Sequence, residues 1–480
     1  MAVLKSLEDA IPSPTSCVVE FDGPDDRANP MNWPFHKKCY TSLLYSCTSF
    51  GSVWASTAYA PANADIAERF DVSPQVALLG TSLLLFGWAF GPLFWGPLSE
   101  LYGRRLPVLV PSAISMLMAL GTATASNIQT VLVTRFFAGF FGSAPITCMG
   151  GINVDLWHAT QRGNAIVGYM FAVSAALATA PVVGGAVIYC GLNWRWTQYI
   201  TVIIQGFILA LDVILIDESY TPILLVRKAR KLRKATGNQD LYAQWEKNPV
   251  SLRALAVKFG LRPLQILGTP ICLFITIYLS FIYGVYYASL ASFPILFRET
   301  RGWNTLIASL PFLAVLVGVI GGAVVTWFNQ QHYNRELVAN NNMPVPEARL
   351  PPMKVASLVL ASGLFIMGWT SRQDVHWTGT VVGSAMMGYG FYTIFTSSTN
   401  YLVDSFQHWA SSAVAANTFV RSMFAGILPL LVKPWFHHLG NGWAMTVLGA
   451  FAVLNVPIPF IFAIYGPRIR ARGKYTSGVV

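Results

Sequence analysis

Long apolar runs alternate along this chain with short polar stretches. A helix crossing the hydrocarbon core needs about 20 consecutive apolar residues. Runs of that length occupy Cys39–Ala60, Gln75–Trp95, Leu106–Ala125, Ile128–Gly151, Gly163–Tyr189, Trp196–Ile216, Leu267–Phe293, Thr305–Phe328, Met353–Thr370, Trp377–Tyr401, Ser411–Val432 and Trp443–Ile464. The first is the weakest, because it is full of Ser and Thr, which suit a helix facing a polar cavity better than one facing lipid. The runs form two sets of six, separated by the polar segment Asp217–Arg262. The pattern predicts an all-α membrane protein of twelve transmembrane helices in two six-helix halves. Its parts would be an N-terminal arm over 1–38, a first half over 39–216, a linker over 217–266, a second half over 267–464 and a tail over 465–480.

Composition supports lipid as the solvent. Of 480 residues, 54% are hydrophobic and 11% charged, against about 25% charged in soluble proteins. The net charge of +11 raises the question of nucleic acid, and its distribution answers it. With both termini placed in the cytoplasm, the inner segments carry 24 of the 32 Lys and Arg, including the cluster Arg227-Lys228-Ala229-Arg230-Lys231-Leu232-Arg233-Lys234. That bias is the positive-inside rule. The cluster reads as a linker helix meeting water and anionic headgroups, with a regulatory or lipid-specific site as the alternative. The lipid bilayer, not nucleic acid, is the expected partner. Residues 1–38 are polar, lack the apolar core of a cleavable signal, and read as a flexible cytoplasmic arm.

Several chemistries find no residues to carry them. The six cysteines have neither metal nor redox spacing. The histidines fall in loops or at helix ends, no Walker-type phosphate loop is present, and no nucleophile–base constellation stands out. No cofactor, metal or enzymatic activity is expected.

The loop after the second run reads Gly96-Pro97-Leu98-Ser99-Glu100-Leu101-Tyr102-Gly103-Arg104-Arg105. Its glycines permit a tight turn and its charges can pair across helix ends. The pattern resembles the loop between helices two and three of the major facilitator superfamily. Further strings extend the likeness over nearly the whole chain: Asn29-Pro30-Met31-Asn32-Trp33, Arg135 through Pro145, Ala180-Pro181-Val182-Val183-Gly184-Gly185, Glu218-Ser219-Tyr220-Thr221-Pro222, Pro346 through Pro352, Asn400 through Asp404, and Ala415 through Ser422. In order and spacing they resemble the fungal, twelve-helix branch of the drug:proton antiporter family, of the multidrug and secondary-metabolite exporter type. The resemblance implies the major facilitator fold, alternating access, small-molecule substrates and protons as partners.

It also implies roles for particular residues. Gly96, Glu100, Gly103, Arg104, Arg105 and Asp155 match a charge-paired cytoplasmic latch that helps hold the outward-open state; plain helix-end electrostatics is the alternative. Pro181, Gly184 and Gly185 match an antiporter motif, with Ala180 where the family has Gly; a small-residue packing seam is the alternative. Arg135 matches a residue implicated in proton coupling, unless it snorkels to the outer interface. Arg421 lies mid-span and is the second coupling candidate. Asp212 reads as an interfacial residue on a peripheral helix. Tyr278, Tyr283, Tyr286 and Tyr287, with Trp88, Asn153, Tyr389, Asn400 and Asn417, are candidates to line a cavity for amphipathic ligands. The second-half counterpart of the Glu100 loop would fall at Trp327–Arg335, where no clear motif appears.

The expected function is export of a small amphipathic molecule, a drug or fungal secondary metabolite, by a monomeric multi-pass protein of the plasma membrane, with proton antiport as the drive. Alternatives are an uncoupled facilitator, a polyamine exporter of the same fold, and a transporter-like nutrient sensor. No mid-depth carboxylate is seen in the cavity-forming runs, which favours a neutral or weakly acidic substrate over a polyamine.

Overall fold

A computed structural model describes residues 17–247, 260–341, 343–473 and 475–476. Its long helices are α1 (Phe35–Thr57), α2 (Pro74–Phe90 continued by Pro92–Tyr102), α3 (Leu106–Thr124), α4 (Ile128–Leu156), α5 (Ala159–Tyr189) and α6 (Arg195–Leu215). After the linker come α7 (Pro270–Phe293), α8 (Pro311–Ala339), α9 (Pro351–Trp369) and α10 (Thr378–Phe406). The helical run Ala410–Asn455 turns back at Gly440, whose φ of 77° is non-helical. It therefore supplies both α11 (410–439) and α12 (441–455, extended by Pro457–Arg472). Twelve spanning helices result, as the apolar runs predict.

Local sequence explains many boundaries. Pro74 opens α2 behind Ser73, whose hydroxyl accepts from the Val76 N–H, and Asn127 caps α4 through the Thr130 N–H; both satisfy donors that a helix start leaves free. The two pieces of α2 meet at 44° beside Gly91. By length and apolarity alone, eight helices would cross a membrane, or nine with the bent pair joined. Beyond the fused pair α11–α12, the shortfall is α1 and α10. In α1, Ser46, Thr48, Ser49 and Ser52 each donate to a carbonyl four residues earlier. Those hydroxyls are satisfied and buried, so the helix tolerates them away from lipid.

Burial ranks the helices by position. The apolar window of α7 is 83% buried within the protein, that of α6 only 22%. α7 is central and α6 peripheral. The halves meet where α2 lies on α11, with Gly426 against Phe86, and where α5 lies on α8. Within each half one crossing repeats. A Cβ on Gly139 would sit 2.0 Å from the Leu84 carbonyl oxygen, between α4 and α2; one on Gly318 would sit 1.9 Å from that of Ala385, between α8 and α10. Only glycine allows such backbone approach.

Where a flexible arm was expected, the described part of it, from residue 17, packs on the linker. Val19 is buried among Val226, Ala229, Leu232, Leu241 and Ala243 of the linker, and Val18 bridges Tyr242. Lys228 on the linker helix (Thr221–Thr236) donates to the Glu20 carbonyl at 3.0 Å and pairs with Asp22. Glu246 holds Arg233 at 2.8 Å, and that hydrogen bond lowers the Glu246 carboxyl below its ordinary range. Residues 1–16 and part of the linker's basic segment lie outside the described residues.

Candidate functional site: an aromatic slot and a charged latch

On the face that bears the arm and linker, Gly103 turns the chain with φ 91°, a conformation open to glycine. The turn presents the backbone N–H groups of Arg104 and Arg105 to the Glu218 carboxylate, at 2.7 and 3.3 Å. Glu218 also accepts from the Ser219 and Tyr220 N–H groups. The Arg104 side chain crosses Gly151, donates to Asp155 at 2.8 Å and to Ser99 at 3.0 Å, and stacks on Tyr220. Burial raises the Tyr220 phenol, with Arg104 opposing. Gly96 is buried and its carbonyl accepts from Ser99. Arg105 donates to the Val213 carbonyl, 2.8 Å. Thus Arg104, Asp155 and the Gly103 turn come together, around a carboxylate, Glu218, that was noted only as part of a family string.

The second half contains the same pairing elsewhere than at Trp327–Arg335. Arg349 donates through Nε to Asp404 at 2.9 Å, as Arg104 does to Asp155. It also donates to Gln330 and lies over the Tyr333 ring. Beside it, Glu347 pairs with Arg470. The arginine sits after the α8–α9 loop, in the turn Pro346–Arg349, which is why a motif search directly behind the apolar run misses it. The halves also touch here, because Gly163 of α5 abuts the Gln330 side chain.

Arg135 does not snorkel. It is 1% exposed and donates to the carbonyls of Gly80 at 2.9 Å and Ala55 at 2.7 Å, with Tyr59 beneath its plane. It ties α4 to α1 and α2 through neutral acceptors. The helix-five glycines have separate partners: a Cβ on Gly184 would meet the Ala58 carbonyl at 2.9 Å, and one on Gly185 the Ser309 hydroxyl at 2.4 Å, across the boundary between halves. Pro181 lies inside α5. On the same far face Asp65 is partly buried, which raises its carboxyl, with Arg298 of the second half opposing.

At mid-depth the guanidinium of Arg421 lies between Tyr283 and Phe395, 4.8 Å from each ring centroid. It is 8% exposed. Its Nε has no hydrogen-bond partner among the described residues, and a 3.5 Å contact from Nη2 to Thr418 is its hydrogen bond within the chain. Tyr283 stacks on Phe391 and Phe395, and the Tyr287 hydroxyl meets Ser56 of α1 at 2.8 Å. The Tyr286 hydroxyl, Trp88 Nε1 and Asn153 Oδ1 are likewise buried without partners. A buried polar group left unpaired is costly, and of these the Arg421 Nε lies directly in the aromatic slot. Asn417 donates to Thr276, joining α11 to α7, and Asn400 is buried on α10.

Two expected cavity residues lie elsewhere. Tyr278 is on the opposite side of α7 from Tyr283 and faces Ser357 of α9; five residues at 100° each separate the two side chains. Tyr389 is half-buried against Gly321 on the α8–α10 crossing. Asp212 lies three residues before the end of α6, turned inward and wholly buried, and its carboxylate meets Thr48 of α1 at 2.6 Å.

The family model described as Major Facilitator Superfamily matches residues 45–429. The chain is 48% identical over 462 residues to efflux pump bik6 of Gibberella fujikuroi, covering 96% of this chain and 95% of that one. It is 38% identical to the citrinin biosynthesis cluster MFS transporter mrr1 of Monascus ruber, covering 96% and 92%. Among solved structures, the proton:xylose symporter XylE bound to 6-bromo-6-deoxy-D-glucose superposes with a TM-score of 0.65 at 15% identity, covering 89% of this chain and 96% of that one. Twelve helices in two halves, a family match across most of the chain and full-length likeness to fungal efflux proteins lead to one assignment: the chain belongs to the major facilitator superfamily.

Proposed function

We propose that this transporter exports small amphipathic organic molecules, neutral or weakly acidic, from the cytoplasm by alternating access, as a proton antiporter and not as an enzyme. The relatives named for efflux and for a biosynthetic cluster support the direction and the substrate type. The excess of Lys and Arg on the arm-and-linker face supports placing that face in the cytoplasm, and the plasma membrane is the address we assign. Arg104–Asp155 and Arg349–Asp404 are the charge pairs we assign to a latch that closes when the substrate site opens outward. Small residues on α5 and α8 would let the halves rock without clash.

The observation that carries the substrate class is Arg421. A guanidinium held in an aromatic slot, with an unpaired N–H and no carboxylate ion-paired to it among the described residues, attracts an acidic or electron-rich group and repels a polyamine. The test is growth protection in drug-sensitive yeast expressing the protein, against a panel of aromatic organic acids, neutral drugs and spermine. Protection against the acids and neutral drugs is expected. A charge-assisted hydrogen bond contributes about 1.5–3 kcal/mol, so Arg421→Gln should weaken protection against acids about 10-fold or more while sparing neutral drugs. Protection confined to spermine would reverse the reading.

A further inference from the structure

Asp212 is the one carboxylate that sits fully buried inside a span without an ion-pair partner among the described residues. Its Oδ2 lies 2.6 Å from Thr48 Oγ1, while its Oδ1 has no partner. The same Thr48 hydroxyl lies 2.9 Å from the Leu44 carbonyl oxygen. A threonine hydroxyl has one hydrogen to give. With Asp212 ionised, the one Thr48 hydrogen must be divided between the carboxylate and the Leu44 carbonyl; with Asp212 protonated, Asp212 can donate to Thr48 while Thr48 donates fully to Leu44. The contact is thus a hydrogen-bond relay reset by one proton.

The surroundings suit a proton that comes and goes. A cavity of about 10 Å³, lined by Thr48, Gly51, Ser52, Ser112 and Gln205, lies along the same α1–α6 seam, about the room for one water. Gln205 stands two turns before Asp212 on the same face of α6, and its Oε1 is unpaired, as is Ser112 Oγ. The titratable groups facing Asp212 are Tyr45 and Cys47 on α1. α3 contributes none along its length, and Arg105 just before it is committed to the Val213 carbonyl. Arg162, Tyr169 and Tyr189 of α5 form no described hydrogen bond or ion pair with Asp212, and Lys37 is paired with Asp217 beyond the helix end, at 2.5 Å. No positive charge therefore pins Asp212 in its ionised form.

We propose that Asp212 binds the exchangeable proton of transport and releases it when the α1–α6 seam opens. This rests on the antiport reading above. Val213, the next residue, is gripped by Arg105, and Glu218 clasps the Gly103 turn. The helix end that holds Asp212 is thereby joined to the turn that carries Arg104, a route by which the proton can act on the latch. One carboxyl O–H breaks and re-forms, the proton passing to and from water.

The test uses the purified full-length protein in liposomes loaded with whichever panel compound the wild type protects against most strongly. Export is measured with and without an imposed pH gradient, alongside downhill exchange without a gradient. The expected result is stimulation by the gradient in the wild type and its loss in Asp212→Asn, with exchange retained. Stimulation in both proteins overturns the proposal and leaves the antiport reading standing; no stimulation in the wild type overturns both. If Asp212→Asn does not fold, the near-isosteric Thr48→Val decides. The charged carboxylate loses more from the missing hydroxyl than the neutral acid does, so the pH midpoint of driven export should rise by about one unit. An unmoved midpoint also sinks the idea.

Discussion

At the residue scale, the chain pairs its buried charges unequally. Arg104 has a carboxylate, a hydroxyl and an aromatic face. Arg135 has carbonyls and a ring, whereas Arg421 has rings and little else. The first can be held firmly; the last is available to a guest. Removing Arg104 takes from the half-buried Asp155 its direct partner and leaves Arg162 as the remaining cation near it, which unbalances the latch. Arg104→Ala should therefore lower flux strongly at unchanged surface expression. Glu218→Gln should lower it too, because a neutral amide accepts the Gly103-turn N–H groups less strongly. Near-normal flux per surface molecule in both would reduce the cluster to ordinary helix-end pairing. The Arg104–Asp155 pairing was legible because a motif arginine and a helix-end carboxylate fall on one face. Glu218 escaped because it acts on backbone N–H groups, which leave no trace in a side-chain pattern. The inward turn of Asp212 was not legible because hydropathy gives a residue's depth along a helix but not the side it faces.

At the scale of elements, the two weakly apolar helices are α1 and α10. Both are heavily buried; in α1 most Ser and Thr hydroxyls bond to their own backbone, and in α10 Ser384 and Thr399 do. Shielding by neighbours permits such polar residues without requiring them, since α7 is 83% buried across its apolar window. Twelve runs were legible all the same, since length and punctuation survive that dilution. On α5 the two glycines predict separable outcomes. A leucine at Gly185 must displace Ser309 across the boundary between halves, and one at Gly184 must displace the Ala58 carbonyl and Pro61 within the first half. Overpacking of this kind costs about 1–3 kcal/mol. Gly185→Leu should abolish transport with little loss of folded protein, whereas Gly184→Leu should reduce yield as well. Pro181→Ala should be milder than either, because it restores a backbone hydrogen bond. Normal transport in both leucine variants would refute the close-packing account.

At the scale of the molecule, two halves built alike share almost no legible sequence repeat. What repeats is geometry: a glycine-mediated crossing and an arginine–aspartate pair at the end of the fourth helix of each half. The arginine comes two residues after α2 in one half and ten after α8 in the other, so no fixed spacing exposes the correspondence. The docked arm has a practical consequence for where this chain can be divided. Val19 fills an apolar strip on the linker helix, and Lys228 fastens the acidic stretch that follows. The segment through Lys247 therefore travels with the first half, although a hydropathy plot would end that half before Asp217. Two co-expressed fragments broken after Lys247 should reassemble and restore drug resistance. The same experiment with a break after Ile216 strips Val19 of its cover and separates Lys37 from Asp217. That pair of fragments should accumulate poorly and confer markedly less resistance, as immunoblots and growth assays would record.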